Sequence, residues 1–158
     1  MAKVLPAVIE MRVRPATPAD IPSMMRLMQH SATAAHWSRE QYDRVFGGDS
    51  PQRVALVIEE AGDVQGFLVS HSVGDEWEIE NIAVAGKARR RGLGTRLLGE
   101  FLDHAQAEGA TAVFLEVRES NRAARSLYEK WAFEPGGRRA RYYSQPDEDA
   151  IVYRLGFP

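Results

Sequence analysis

Gly86-Lys-Ala-Arg-Arg-Arg-Gly-Leu-Gly-Thr-Arg96 carries five cations and no acid within eleven residues. It separates two stretches of different period. Upstream, Glu76 to Val84 alternates over part of its length through Trp77, Ile79 and Glu80-Asn81-Ile82, as a strand does. Downstream, Leu93, Leu97, Leu98, Phe101, Leu102 and Ala105 follow the 3.6-residue period of a helix, which Gly109 stops. Glycines in such a turn let backbone N–H groups approach a ligand, and the helix start adds free donors and a positive dipole. A diphosphate suits that environment. A solvated basic turn or a nucleic-acid patch is the plainer reading of the cations alone; the strand–loop–helix context favours phosphate. The run lacks the Gly-Lys-Ser/Thr ending of a P-loop, and Leu97 stands where a dinucleotide fingerprint needs its third glycine. ATP, GTP and NAD are therefore disfavoured.

Working outward, Val8 to Arg14 reads as a first strand. Thr17-Pro18-Ala19-Asp20 reads as a helix start, with Pro22 making Asp20 an alternative cap. Ile21, Met24, Met25 and Met28 supply the helical stripe. Ser38-Arg-Glu-Gln41 is a capping box for a second short helix ended by Gly47-Gly48. Arg53 to Glu60 and Val64 to Val73 are strands joined by Ala61-Gly62-Asp63, and Gly74-Asp75 turns into the Glu76 strand. This meander is expected to be antiparallel. After the central helix, Ala112 to Val117 is a strand, Ser120-Asn121 opens a helix with the inner stripe Ala124, Leu127, Tyr128 and Trp131, and two late strands, about Arg138 to Ser144 and Ala150 to Leu155, flank a Pro146 to Asp149 loop. The order β-α-α-β-β-β-α-β-α-β-β predicts one mixed α/β domain over residues 1–158, with residues 1–7 a loose N-terminal extension.

The 158 residues are 44% hydrophobic and 27% charged, enough for one core without staples. With no cysteine, the chain has no disulfide framework, thiolate nucleophile, Cys-ligated zinc or iron–sulfur cluster. Its net charge of −2 argues against a whole-protein nucleic-acid footprint. His30, His36, His71 and His104 show no metal-ligand spacing, so no metal is expected. No signal-peptide core and no apolar run of spanning length is visible, and a cytoplasmic protein is expected.

Arg89-Arg90-Arg91-Gly92-Leu93-Gly94 resembles the Arg/Gln-x-x-Gly-x-Gly/Ala signature of the GNAT superfamily of N-acetyltransferases, and the element order matches. Asn81-Ile82-Ala83-Val84 is similar to that family's pantetheine-binding strand. Leu115-Glu-Val-Arg-Glu-Ser-Asn121 and Ser126-Leu-Tyr-Glu-Lys-Trp-Ala-Phe133 resemble its ribosomal-protein-alanine N-acetyltransferase (RimI-like) branch. Tyr142-Tyr143 and Glu148-Asp149-Ala150-Ile151 are similar to that branch's C-terminal hairpin, and His36-Trp37-Ser38 to its Pro-Trp-Ser acceptor loop. The chain departs from the branch at His36, in place of proline, and at Ala132, in place of glycine.

The resemblance implies a GNAT fold and transfer of an acetyl group from acetyl-CoA to the N-terminal α-amine of a protein, a ribosomal protein starting with alanine. It implies that Ile82, Ala83, Val84, Arg89, Arg90, Arg91, Gly92, Leu93, Gly94, Thr95 and Asn121 hold acetyl-CoA. By the same resemblance Glu116 takes the amine's proton and Tyr128 protonates the leaving thiolate, while Trp37, Tyr142 and Tyr143 border the acceptor peptide. Read without the family, these residues have simpler roles. Glu116 is a carboxylate paired with Arg118, Tyr128 a core tyrosine on a helical stripe, Asn121 a helix cap and Trp37 a core anchor.

The rival enzymatic reading is a GNAT that acetylates a small amine or a lysine. A non-catalytic acyl-CoA sensor is the rival from another class; the presence of both Glu116 and Tyr128 argues against it. A nucleic-acid binder using Arg89 to Arg91 would want aromatic residues around that run, and it has none.

Overall fold

Alternation and tight turns build the first half of the sheet. The computed structural model describes residues 10–30, 37–48, 51–86, 92–144 and 147–158. Strands β1 (Met11–Pro15), β2 (Arg53–Glu60), β3 (Asp63–Val73) and β4 (Glu76–Val84) form an antiparallel run. Its hairpins turn at Ala61-Gly62 and Gly74-Asp75, with Gly62 at φ 83° and Gly74 at φ 62°, a region open to glycine at no steric cost. The second half consists of β5 (Ala112–Arg118), β6 (Glu134–Tyr143) and β7 (Glu148–Gly156). The seven-stranded sheet has the order β1-β2-β3-β4-β5-β7-β6. β4 and β5 are parallel and joined through a helix, as a parallel pair must be.

Among the described residues, four α-helices cover the two faces. On one face lie α1 (Ile21–Gln29) and α2 (Arg39–Val45), packed through Met24, Met28 and Tyr42 against Val57, Phe67, Val69 and Ala83. On the other lie α3 (Leu93–Ala107) and α4 (Arg122–Lys130), whose Leu97, Leu98, Phe101 and Tyr128 meet Ile58, Leu68, Ile79, Leu115 and Tyr153. Each fully buried Leu or Phe of that face contributes about 1.5–3 kcal/mol.

The helix starts follow the local chemistry. Pro18–Asp20 form a 3₁₀ turn, and α1 begins at Ile21 with Pro22 in its first turn. Asp20 takes two hydrogen bonds from Arg14, at 2.8 and 2.9 Å, and one from the Thr17 N–H at 2.8 Å. The arginine holds the Asp20 carboxyl below its ordinary range. Ser38 and Gln41 form the expected capping box of α2.

Residues 8 and 9 of the expected first strand lie outside the described residues; the strand begins at Met11. β6 starts at Glu134, four residues earlier than its β-formers predict, because pairing with β7 (Pro135 with Tyr153, Gly137 with Val152) overrides the poor strand propensity of Pro-Gly-Gly. Glu148 and Asp149, expected in a loop, belong to β7. Glu148 pairs with Tyr143 and accepts from the Ser120 N–H at 2.5 Å.

Two irregularities shape the site. Val69 faces Asn81 and Ser70 faces Ile79, so Glu80 is an extra residue in β4, a bulge that bends the strand. Between Arg139 and Tyr143, three residues of β6 stand opposite Asp149 alone. There Arg141 adopts φ 50°, and its N–H donates to the Asp149 carboxylate at 2.9 Å.

Candidate active site

The parallel pair β4/β5 is short. It runs from Glu76/Ala112 to Ile79/Leu115 and stops where the Glu80 bulge begins. Beyond it, β4 stays paired with β3 as far as Val84, whereas, among the described residues, Ile82–Val84 have no strand partner on the other side. Backbone groups at such a strand edge can meet a ligand. A cavity of about 100 Å³ lies in the opening, lined by Asn81 and Ile82 of β4, Glu116 of β5, Asn121 and Tyr128 of α4, and Tyr143 of β6.

Two candidate catalytic side chains reach it from opposite faces. Val113, Leu115 and Val117 belong to the α3/α4 core, so alternation turns Glu116 to the α1/α2 face. Tyr128 comes from α4 on the other side. It is 3% exposed and packs on Phe133 and Tyr153, with ring centroids 5.7 and 6.1 Å away. It is therefore a core tyrosine and a cavity-lining one at once. Burial, and then Tyr143, push its hydroxyl above the usual range, which favours the neutral, protonated form in the resting site.

The cation bonded to Glu116 is Arg139 of β6, whose Nη1 lies 2.7 Å from Oε1. Arg118, the plainer counter-ion that the sequence offers for Glu116, pairs with Glu148 at 3.4 Å and lies 4.4 Å above the Tyr143 ring. Burial, followed by the charge of Glu116, pushes the Tyr143 hydroxyl up to about 12. Tyr142, next along β6, is 48% exposed.

At the head of α3, Gly92 is the cap residue at φ 78° and, being glycine, brings no capping side chain of its own. The first N–H donors of a helix are what a phosphate site uses. A Cβ on Gly94 would stand 3.4 Å from Leu127 Cδ2 and 3.7 Å from Val84 Cγ2, so this glycine keeps clear the space between β4 and α4. Leu93 is buried at the helix start, and Ala83 is buried in the α1/α2 core. Asn121 caps α4, accepting from the Ala124 N–H at 3.1 Å, and also lines the cavity. Arg89, Arg90, Arg91 and His36 lie outside the described residues. Trp37 packs against the α1/α2 core: its backbone N–H donates to Met28 Sδ at 3.1 Å and its ring meets Tyr42 edge-on at 5.3 Å.

Sequence reading missed a polar network on the α1/α2 face. Strand register aligns Arg53, His71 and Glu78 across β2, β3 and β4. His71 lies 3.5 Å from Glu78 and 3.2 Å from Glu80, and Arg53 lies 3.3 Å from Glu80. Burial raises the Glu78 carboxyl, His71 opposes that shift, and the charges of Glu116 and Glu80 add to it. The alternating glutamates at 76, 78 and 80 were a visible signal, but their partners depend on register. A larger open hollow of about 680 Å³ lies on the opposite face of α4, among Glu119, Arg122, Arg125 and Glu129. Arg125 there is already bonded to the Tyr153 hydroxyl at 3.0 Å and to the Glu119 carbonyl at 2.9 Å. Among the described residues no group of three or more metal-ligating side chains converges.

Residues 21–133 match the acetyltransferase (GNAT) family, and the chain belongs to it. It is an acetyl-CoA-dependent N-acetyltransferase with the single-domain α/β fold of that family. The chain is 35% identical over 138 residues to the ribosomal protein bS18-alanine N-acetyltransferase of Salmonella typhimurium, covering 86% of this chain and 90% of the relative. The crystal structure of the ribosomal-protein-S18-alanine N-acetyltransferase from Escherichia coli superposes with a TM-score of 0.84 at 30% identity, covering 93% and 94% of the two chains. Ard1 from Thermoplasma volcanium follows at a TM-score of 0.82 and 28% identity, covering 94% and 98%. No helix among the described residues is long and apolar enough to cross a membrane.

Proposed function

We propose that this enzyme acetylates the N-terminal α-amine of a ribosomal protein that begins with alanine, the reaction carried in the names of its bS18-modifying relatives. One observation carries the mechanism: Glu116 and Tyr128 enter a single cavity from opposite faces of the sheet, where β4 and β5 part.

The donor's pantetheine lies along the free edge of Ile82, Ala83 and Val84, and its diphosphate meets the Arg89 to Thr95 turn. Asn121 contacts it from α4 while still capping that helix. The acceptor enters from the α1/α2 face, bordered by Trp37, Tyr142 and Tyr143. A free α-amine has a pKa near ~8, so deprotonation at neutral pH costs only about one unit, against more than ~3 for a lysine near ~10.4. Glu116 takes this proton, directly or through water. The neutral nitrogen attacks the thioester carbon, a C–N bond forms, the C–S bond breaks, and the leaving thiolate takes the Tyr128 proton. The acylated nitrogen gives up its second proton, which restores the Tyr128 hydroxyl through water, and Glu116 releases its proton to solvent. The products are an N-acetylated chain and free CoA.

The test is a panel of peptides incubated with acetyl-CoA and read by mass spectrometry. Free Ala termini are expected to react faster than lysine side chains in otherwise blocked peptides. The reverse order would overturn the reading.

A further inference from the structure

Glu116 and its counter-ion are unequal partners. The carboxylate side chain is 15% exposed, whereas Arg139 is 54% exposed and reaches in from the outer strand β6. The neighbouring Arg138 behaves differently. It bonds Glu119 through both terminal nitrogens, at 2.8 and 2.9 Å, and Asp149 at 2.8 Å, so several bonds fix it. Arg139 has one carboxylate and one ring. Its guanidinium lies 4.2 Å above the Tyr142 ring.

That stacking depends on the β6 irregularity. Residues three apart on a regular strand point to opposite faces. With three residues opposite Asp149 alone, Tyr142 comes round to the face of Arg139. The half-exposed ring offers the cation a resting place next to Glu116 and nearer solvent.

We propose that Arg139 holds, on Glu116, the place of the acceptor's own ammonium, and that the entering N-terminus exchanges with it. The inference rests on the reading of Glu116 as proton acceptor. A carboxylate close enough to Glu78 for their charges to oppose each other is costly to leave without a counter-charge, and it must be ionised to accept a proton. A protonated N-terminus brings the same charge as the guanidinium, so exchange conserves the charge of the site. Arg139 swings out along Tyr142, and the amine takes over Oε1. An exposed pair of this kind is weak, so the exchange is easy, but it still competes with the acceptor.

The experiment is calorimetric titration of an Ala-starting peptide into the enzyme–CoA complex, which needs no turnover. Arg139→Gln is expected to tighten peptide binding about two- to fivefold, the scale of one exposed ion pair. Arg139→Lys, which restores a cation, is expected to return the affinity toward wild type. A peptide with an acetylated N-terminus is expected to gain nothing, and in a Glu116→Gln background the gain is expected to vanish. Unchanged or weaker peptide binding in a folded Arg139→Gln protein overturns the proposal. So does an equal gain with the blocked peptide or with Glu116→Gln. Near-normal turnover of Glu116→Gln alone would instead remove the proton-acceptor reading, a distinct failure.

Discussion

The two faces of the sheet carry different kinds of site. On the α3/α4 face the features are mainly backbone: the β4 edge from Ile82 to Val84 beyond its pairing with β5, a left-handed glycine at the head of α3, and Gly94 leaving room beside Val84 and Leu127. On the α1/α2 face they are side chains paired across strands, from Arg53 and His71 through Glu78 and Glu80 to Glu116 and Arg139. A backbone cradle suits a donor that is the same in every turnover. Paired charges suit an acceptor that arrives with its own charge and must displace something. In the proposed reaction the two meet in the gap between β4 and β5, where Glu116 and Tyr128 line one cavity.

The strongest way to break this comparison is to disable one contributor from each face. Tyr128→Phe keeps the ring against Phe133 and Tyr153 and removes one hydroxyl; Glu116→Gln keeps shape and removes charge. Each is expected to lower turnover about 10²-fold or more, the scale of a positioned acid or base. Acetyl-CoA affinity is expected to hold, since both act on charge that develops during reaction. Turnover of Glu116→Gln is expected to recover in part at higher pH, where more of the amine is already neutral. Melting temperature, cofactor affinity and turnover on the same samples separate the outcomes. Near-wild-type turnover in both would reduce the two residues to structural parts.

A smaller effect isolates the donor face. The Cβ of a residue at 94 fits at ordinary contact distance from Leu127 and Val84, and valine adds two further methyls to that already occupied space. Gly94→Val is expected to weaken acetyl-CoA binding about tenfold, the scale of one overpacked site. Gly94→Ala is expected to have a much milder effect. Unchanged acetyl-CoA titration in a folded Gly94→Val protein would detach this glycine from the donor site.

The same contrast explains what sequence reading could reach. β2 and β4 have the expected ends because alternation and the turns at Ala61-Gly62 and Gly74-Asp75 are local signals. The glycine turn before α3 was legible for the same reason, and the chemistry of Glu116 and Tyr128 came with the family resemblance. Arg139 was not legible. It lies 23 residues from Glu116 in the chain, and only the pairing of β7 between β5 and β6 brings them together. The Glu80 bulge has no local marker either, although it ends the β4/β5 pairing and opens the cavity. The early start of β6 was hidden by Pro135-Gly136-Gly137, which is a strand only because β7 holds it.

The smallest expected effect concerns Ala132, where this chain departs from the family's glycine. Ala132 has φ 67°, just after α4. Its N–H donates to the Glu129 carbonyl at 3.0 Å, and the Phe133 N–H returns to the Tyr128 carbonyl at 3.0 Å. The left-handed turn thus closes the helix that carries Tyr128 and folds Phe133 back onto its ring. A residue with a Cβ pays about 1–2 kcal/mol in this conformation. Glycine removes that strain but has more freedom to lose from the unfolded chain, about 0.4–1 kcal/mol. The balance predicts that Ala132→Gly stabilises the protein by about 0.5–1 kcal/mol, raising the melting temperature by roughly 2 °C in a domain of this size. Ala132→Val, with a branched Cβ in the same turn, is expected to lower it. A lower melting temperature for Ala132→Gly would mean that residue 132 does not hold a left-handed turn in solution, and that the packing of Phe133 on Tyr128 is fixed by other contacts.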